Sequence, residues 1–253
     1  MTNEQLLRLV STQPYPLFLM TLSGSHLYGF ASPNSDYDLR GVYILPLKEV
    51  IGLYEGRDTI ETTIKLDGQE IDLVMYDIKK FLALLLKKNG LILEQIYSPV
   101  LVQALPELEE LKDIARKCIS RHHKHHYYGY AQDQWKLLNR SEVGSIKNLL
   151  HVYRVLLTGL HLLRSGEVET NLLCLGEMFQ LTSLPDLIAR KQAGGQKAVL
   201  DKGEIALHRA EYERLLQELE QAASVSTLPE GATLAEKRAL NDLLIRLRLQ
   251  YSS

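Results

Sequence analysis

The chain is poor in cysteine. It has two, Cys118 and Cys174, each alone in its stretch of sequence. That excludes a disulfide-framed scaffold and a cysteine-based zinc site, and it predicts reduced thiols in a cytoplasmic protein. Long apolar runs are missing too: none approaches the ~18 to 20 residues that a membrane span needs. The start, Met1-Thr2-Asn3-Glu4-Gln5, has no basic region before an apolar stretch, so no secretory leader and no membrane partner are expected. There is no excess of either charge. Lys and Arg number 29 against 31 Asp and Glu, for a net charge of -2, which argues against a dedicated nucleic-acid coat. Tryptophan occurs once, at Trp135, and is expected in a core or interface. No internal repeat or low-complexity tract is present.

What remains is an ordinary globular composition, 45% hydrophobic and 24% charged over 253 residues, enough for one large domain or two modest ones. The first part reads as mixed α and β. Leu6, Leu7 and Val10 have helical spacing, and Pro14 and Pro16 end that helix. Leu17–Leu22 reads as a buried strand that empties into Ser23-Gly24-Ser25, and Leu39–Leu45 reads as a second strand. Thr59–Leu66 and Gln69–Met75 flank Asp67-Gly68, a hairpin signal. Asp77 reads as the N-cap of a helix over Ile78–Lys88 that stops at Asn89-Gly90. After Pro106 the strand signals fade, and Leu108–Asn139, Ser145–Arg164, Asn171–Gln180, Gly203–Ala223 and Leu234–Leu249 read as helices. The fold class is therefore α+β: a small mixed-sheet domain over 1–105, followed by an all-helical domain over 106–253.

The chemistry concentrates in Gly24-Ser25-His26-Leu27-Tyr28-Gly29 and, six residues on, Asp36-Tyr37-Asp38. Positions i and i+2 of a strand share a face, so Asp36 and Asp38 would present two carboxylates together. Such a pair repels unless a cation lies between, and Mg²⁺ (or Mn²⁺) suits an all-oxygen set that includes triphosphate oxygens. Gly24 lacks a Cβ, so a phosphate can approach the backbone, where successive N–H groups form an anion nest and the Ser25 hydroxyl adds a donor. A third carboxylate is expected to complete the metal site. Asp72, a charge inside the apolar run Ile71-Asp72-Leu73-Val74, is the candidate, with Glu70 on the same face as the fallback.

This run, Gly-Ser-x-x-x-Gly, a spacer, Asp-x-Asp, then a strand with hydrophobic-Asp-hydrophobic, resembles the DNA-polymerase-beta nucleotidyltransferase superfamily. Tyr28-Gly29, Ser35-Asp36-Tyr37-Asp38-Leu39-Arg40-Gly41-Val42, Leu93-Glu94 to Ser98-Pro99, Tyr128-Gly129-Tyr130-Ala131, and Lys147 with His151 and Arg154 are similar to its RNA-repair-pathway, RlaP-like branch. His26 stands where small relatives often carry arginine. The resemblance implies a catalytic domain followed by a helical substrate-binding domain. It implies triphosphate binding by Gly24 and Ser25, with Tyr28, Lys147, His151 and Arg154 as further nucleotide contacts. It implies catalysis and Mg²⁺ or Mn²⁺ binding by Asp36, Asp38 and Asp72. The expected reaction moves a nucleoside monophosphate, ATP being one candidate donor, onto an acceptor hydroxyl, with an RNA end favoured. A protein hydroxyl, as in toxin–antitoxin enzymes, and a non-catalytic nucleotide-binding module are the alternatives.

Other features are less specific. Between Lys112 and Arg164 ten Lys and Arg stand against three Asp and Glu, a candidate RNA surface to which His122, His123, His125 and His126 would add charge toward pH 6. Those histidines read as a solvated or RNA-facing helix surface more readily than as a metal site. Lys147, His151 and Arg154 share a helical face, either a phosphate stripe or an ordinary polar face. Arg40 is expected to pair structurally with one of the carboxylates.

Overall fold

A computed structural model of the protein describes residues 3–66, 68–140, 144–194 and 199–251. In chain order the elements are α1 (Asn3–Ser11), β1 (Leu17–Ser23), α2 (Gly24–Leu27), β2 (Tyr37–Tyr43), α3 (Lys48–Ile51), β3 (Thr59–Leu66), β4 (Gln69–Asp77), α4 (Ile78–Leu86), α5 (Gly90–Ile96), β5 (Leu101–Ala104) and α6 (Leu108–Cys118). Then follow α7 (Lys124–Leu138), β6 (Gly144–Ser145), α8 (Ile146–Ser165), α9 (Leu172–Met178), α10 (Leu184–Gly194), β7 (Val199–Leu200), α11 (Lys202–Val225) and α12 (Leu234–Tyr251). The architecture is α+β, as expected. No helix among the described residues is long and apolar enough to cross a membrane.

Chain contacts define two compact units. The first gathers Met1–Gly24, Asp36–Cys118 and Ala232–Ser253; the second gathers Ser25–Ser35 and Ile119–Gly231. A single cut near residue 105 therefore does not describe the chain. The reason lies in two anchors far apart in sequence. Arg248 of α12 is tied to Asp77 and to the Leu45 carbonyl at the sheet, and Lys191 of α10 is tied to Ser32 and Ser35.

The first unit is built on a five-stranded sheet in the order β3-β4-β2-β1-β5. β2 and β4 are parallel, and the other neighbouring pairs are antiparallel. Alternation along β2 and β4 sends Leu39, Tyr43, Ile71, Leu73 and Met75 into a core shared with Met20 and with Leu9 of α1. Leu6 and Val10 of the same helix pack against it, which accounts for the helical spacing of their segment. Each such side chain, fully buried, contributes roughly 1.5–3 kcal/mol. The hairpin joining β3 to β4 turns through Gly68 at φ 81, while Asp67 lies outside the described residues. The Asp77 carboxylate accepts from the Lys79 N–H at 3.0 Å and so caps α4.

Local readings and structure differ in one helix that breaks and in elements that were not read. Helix α4 does stop before Asn89-Gly90, and the Asn89 side chain then accepts from the Leu91 N–H at 3.0 Å and starts a further helix, α5, that was not expected. The helix read over Leu108–Asn139 breaks after Cys118, because Ser120 is extended (φ -142) and its N–H donates to His123 Nδ1 at 3.1 Å. A histidine here does what Glu or Gln does in an ordinary capping box, so the signal is easy to miss. That break coincides with a boundary between the two units. Helix α10 and the edge strand β5 also went unread.

Candidate active site

Register, not proximity in sequence, assembles the carboxylates. Ser23 pairs with Asp38, Asp38 with Asp72, and Asp72 with Thr63, so one row of residues crosses β1, β2, β4 and β3. Directly paired residues share a face, and this one is opposite to the face that buries Leu39, Ile71 and Leu73. Asp38 and Asp72 are thus neighbours on adjacent parallel strands, both half-buried. Asp36 lies before β2 begins, so its expected strand partnership with Asp38 is not formed; it sits in the segment leading into the strand. Glu70 is exposed at the start of β4, two residues from Asp72.

Each central carboxylate rests on a neighbour. Arg40 Nη2 reaches Asp38 Oδ1 at 2.9 Å, and Arg40 Nη1 donates to the Asp72 carbonyl at 3.1 Å. The structural pairing expected of Arg40 is therefore present. Thr63 Oγ1 donates to Asp72 Oδ1 at 2.8 Å, a contact that sequence reading missed because it depends on β3–β4 register. Held this way, Asp36, Asp38 and Asp72 do not converge: among the described residues no group of three or more His, Cys, Asp or Glu side chains is arranged to hold a metal ion. The donor chemistry still fits a hard divalent cation, because two carboxylates lie side by side with one arginine as their nearby counter-charge.

Gly24 closes the row. It follows Ser23 directly and opens the single turn α2 at φ 62, a left-handed conformation that side chains rarely adopt. A Cβ placed there would overlap the Asp38 carboxylate. The glycine is thus required by its dihedral and by the close approach of Asp38. Ser25 is buried at 6% exposure, and its carbonyl accepts from the Phe30 N–H at 3.2 Å, which tightens the turn.

The remaining candidates belong to the second unit. Tyr28, His151 and Arg154 come together there. The Arg154 guanidinium lies 4.2 Å from the Tyr28 ring centroid and 5.8 Å from that of Tyr130, with no solvent exposure. His151 meets the rings of Tyr28 and Phe30 edge-on, at centroid distances of 5.9 and 5.3 Å. Burial, then the charges of Arg154, Lys147 and Lys191, hold its pKa down at about 3, so the imidazole is neutral. Lys147 is half-buried near the start of α8. Tyr28, His151 and Arg154 thus form an interior rather than an open stripe.

The histidine-rich segment also divides. His123 is fully buried, His122 and His125 stack at 5.9 Å, and burial holds His126 at about 4. They do not form one titrating surface. Much of the basic excess around them is neutralised by acids distant in sequence. Arg121 and His122 pair with Glu230, Lys124 with Glu220, and Arg164 with Glu218. Trp135 stacks on Tyr212 at 4.2 Å between α7 and α11, an interface position.

Among proteins of known sequence, the chain is 34% identical over 158 residues to an uncharacterized protein of Methanocaldococcus jannaschii, covering 62% of this chain and 63% of that one. It is 26% identical over 156 residues to the uncharacterized protein YcgL of Bacillus subtilis, covering 61% and 59%. It therefore spans less than two thirds of the length of these relatives. Among solved structures it is similar to a spectinomycin adenyltransferase from Enterococcus faecialis, crystallised with ATP and spectinomycin. There the identity is 13%, the TM-score 0.39, and the coverage 97% of this chain and 98% of that one. A nucleotidyltransferase-like protein from Exiguobacterium sibiricum gives 14% identity and a TM-score of 0.34, covering 98% and 88%. The family model for RNA repair pathway DNA polymerase beta proteins (RlaP) matches residues 1–246, and the chain belongs to that family.

Proposed function

We propose that the protein transfers a nucleoside monophosphate from a nucleoside triphosphate to an acceptor hydroxyl, releasing pyrophosphate. The observation that carries this reading is the pairing of Asp38 with Asp72 on adjacent parallel strands, directly beside the Gly24 turn. Arg40 steadies Asp38 and Thr63 steadies Asp72, and a divalent cation between the two carboxylates would offset their mutual repulsion directly. Asp38 and Asp72, with Asp36 from the segment before β2, are the residues that would hold Mg²⁺ or Mn²⁺. A bound divalent ion there would supply counter-charge for the triphosphate and polarise the acceptor hydroxyl. Gly24 and Ser25 present backbone donors to the phosphates in this reading. The acceptor oxygen forms the new bond to the α-phosphorus as the bond to the β-phosphate bridging oxygen breaks. Arg40 neutralises Asp38 until the substrate complex forms. Tyr28, His151 and Arg154 shape the segment that follows Ser25, and Lys147 remains a candidate phosphate contact.

An RNA end is the favoured acceptor, in keeping with the family to which the chain belongs. A protein hydroxyl is the second reading. It is favoured by the ion pairs that Arg121, Lys124 and Arg164 make with Glu230, Glu220 and Glu218, which weaken the positive surface an RNA would need. A cytoplasmic setting accords with the two free thiols of Cys118 and Cys174. The test is incubation with each labelled triphosphate, Mg²⁺ or Mn²⁺, and either RNA ends or cell lysate. Label should pass to one macromolecule and vanish in the Asp38→Asn/Asp72→Asn variant. Wild-type transfer by that double variant sinks the assignment. RNA affinity that falls steeply with salt supports the RNA end, and its absence at low salt supports protein.

A further inference from the structure

The sheet of the first unit ends at β3, whose outer edge pairs with no strand among the described residues. The phase of that edge follows from one hydrogen bond. β3 and β4 run antiparallel from Thr59 opposite Tyr76 to Leu66 opposite Gln69, and one step further the Asp77 N–H donates to the Asp58 carbonyl at 2.9 Å. Along an antiparallel ladder, opposed residues that bond each other directly alternate with those that do not. The residues of β3 bonded to β4 are therefore Ile60, Thr62, Ile64 and Leu66. The backbone N–H and C=O groups of Glu61, Thr63 and Lys65 point away from the sheet. All three residues are exposed, and among the described residues their backbone groups make no further hydrogen bond.

The side chains along this edge are self-complementary. When a second copy is laid antiparallel about a two-fold axis at Thr63, Glu61 stands opposite the partner's Lys65, and Lys65 opposite the partner's Glu61. Each outward-facing residue then exchanges both backbone hydrogen bonds with its opposite. Opposite-charge and Thr–Thr pairs are favourable cross-strand contacts. On the other face Ile60 meets the partner's Leu66, and Thr62 the partner's Ile64. Ile60, Ile64 and Leu66 pack against the core yet stay only half-buried, so a second strand would cover apolar surface that the edge leaves in water. Moving the axis by one residue either way leaves Lys65 opposite a threonine. Moving it by two sets Glu61 against Glu61 or Lys65 against Lys65. We propose that β3 is a homodimerisation edge, to which a second copy adds its own β3 antiparallel with Thr63 on the two-fold axis. A lysine on an exposed edge ordinarily keeps a foreign strand away. Here a copy of this chain supplies the acid that meets it. Thr63 and Asp72 share a face, so the Asp38–Asp72 rows of the two copies lie on one face of the joined sheet. This pairing does not depend on the reaction proposed above.

The test is sedimentation equilibrium of the full chain over a range of concentrations. Wild type is compared with Glu61→Lys, Lys65→Glu, the exchange Glu61→Lys/Lys65→Glu, and Lys65→Pro. One strand pairing is a small interface, so the wild type should be a weak dimer whose population rises with concentration. Each single reversal sets like charges opposite one another on both sides of the axis and should raise the dissociation constant about 10-fold or more. The exchange should restore it to within about 3-fold of wild type. Lys65→Pro removes an outward N–H that the monomer leaves to water, so it should melt cooperatively and lose the dimer. If it does not fold, the charge variants, all at exposed positions, decide. A wild type that is monomeric at every concentration overturns the inference, as does a dimer that either reversal leaves unchanged. A dimer weakened by the reversals and not rescued by the exchange overturns it as well, since the two charges then do not meet.

Discussion

Gly24 carries two constraints that can be separated by mutation. Its φ of 62 costs any side chain backbone strain of ~1–2 kcal/mol, and its missing Cβ leaves room for the Asp38 carboxylate. Gly68 has a comparable φ of 81, but a Cβ there meets nothing within 4 Å. Gly68→Ala should therefore cost ~1–2 kcal/mol of stability by denaturant titration and leave nucleotide transfer intact. Gly24→Ala should cost at least as much and also displace Asp38, with transfer falling by ~100-fold or more, since misplacement near 1 Å has that order of effect. Equal transfer by the two variants would remove the Asp38 contact from the account. The glycine was visible in the sequence and its neighbour was not: the pairing of Ser23 with Asp38 across β1 and β2 is what puts the carboxylate there.

At the scale of elements, buried histidines on α7 and α8, with His208 of α11 lowered by burial as well, make the second unit sensitive to pH. Burial first, and the charge of Arg154 next, hold the folded pKa of His126 at about 4 and of His151 at about 3. Both lie below the unfolded value of ~6.5, so between those limits the unfolded chain binds more protons. Their contribution to stability is complete above ~6.5 and is lost as pH falls toward 4, at up to about 1.4 kcal/mol per pH unit for each histidine. Melting temperature should drop between pH 7 and pH 5, and His126→Phe, which keeps a ring against Tyr127 and Tyr130, should make that drop smaller. A melting temperature level across this range would contradict the burial argument. Mild acidification therefore loosens these helices before it charges them. Helical periodicity made α8 legible from the sequence, whereas only packing decided which of its polar residues face inward.

Over the whole molecule, the last helix returns to the first unit through one buried ion pair. Arg248 pairs with Asp77, their side chains 7% and 4% exposed, and Arg248 Nη1 also donates to the Leu45 carbonyl at 2.8 Å. Asp77 meanwhile caps α4 and accepts from the Leu45 N–H at 3.3 Å. Arg248→Ala strands a charged carboxylate in the interior and should cost ~3–5 kcal/mol, read as a lower urea midpoint for the sheet unit. A loss below ~1 kcal/mol would mean that the pair is solvated and replaceable.

Composition, alternation and motif spacing already determined a good deal. The Gly-Ser turn follows a strand, an Asp-x-Asp pair leads into the next, Asp72 interrupts an apolar strand, and Asp77 caps a helix. These are local properties, set within a few residues by backbone sterics, period and hydrogen bonding, so a linear reading reaches them. Tertiary structure alone decided the row Ser23–Asp38–Asp72–Thr63, the ion pair of Arg40 with Asp38, the burial of Arg154 and the ring contacts of His151, the neutralisation of Arg121 and Lys124, and the anchoring of residues 30–35 by Lys191. Each depends on strand register or helix docking between residues far apart in the chain. No local periodicity encodes such a pairing, because its energy arises only when both partners leave water together.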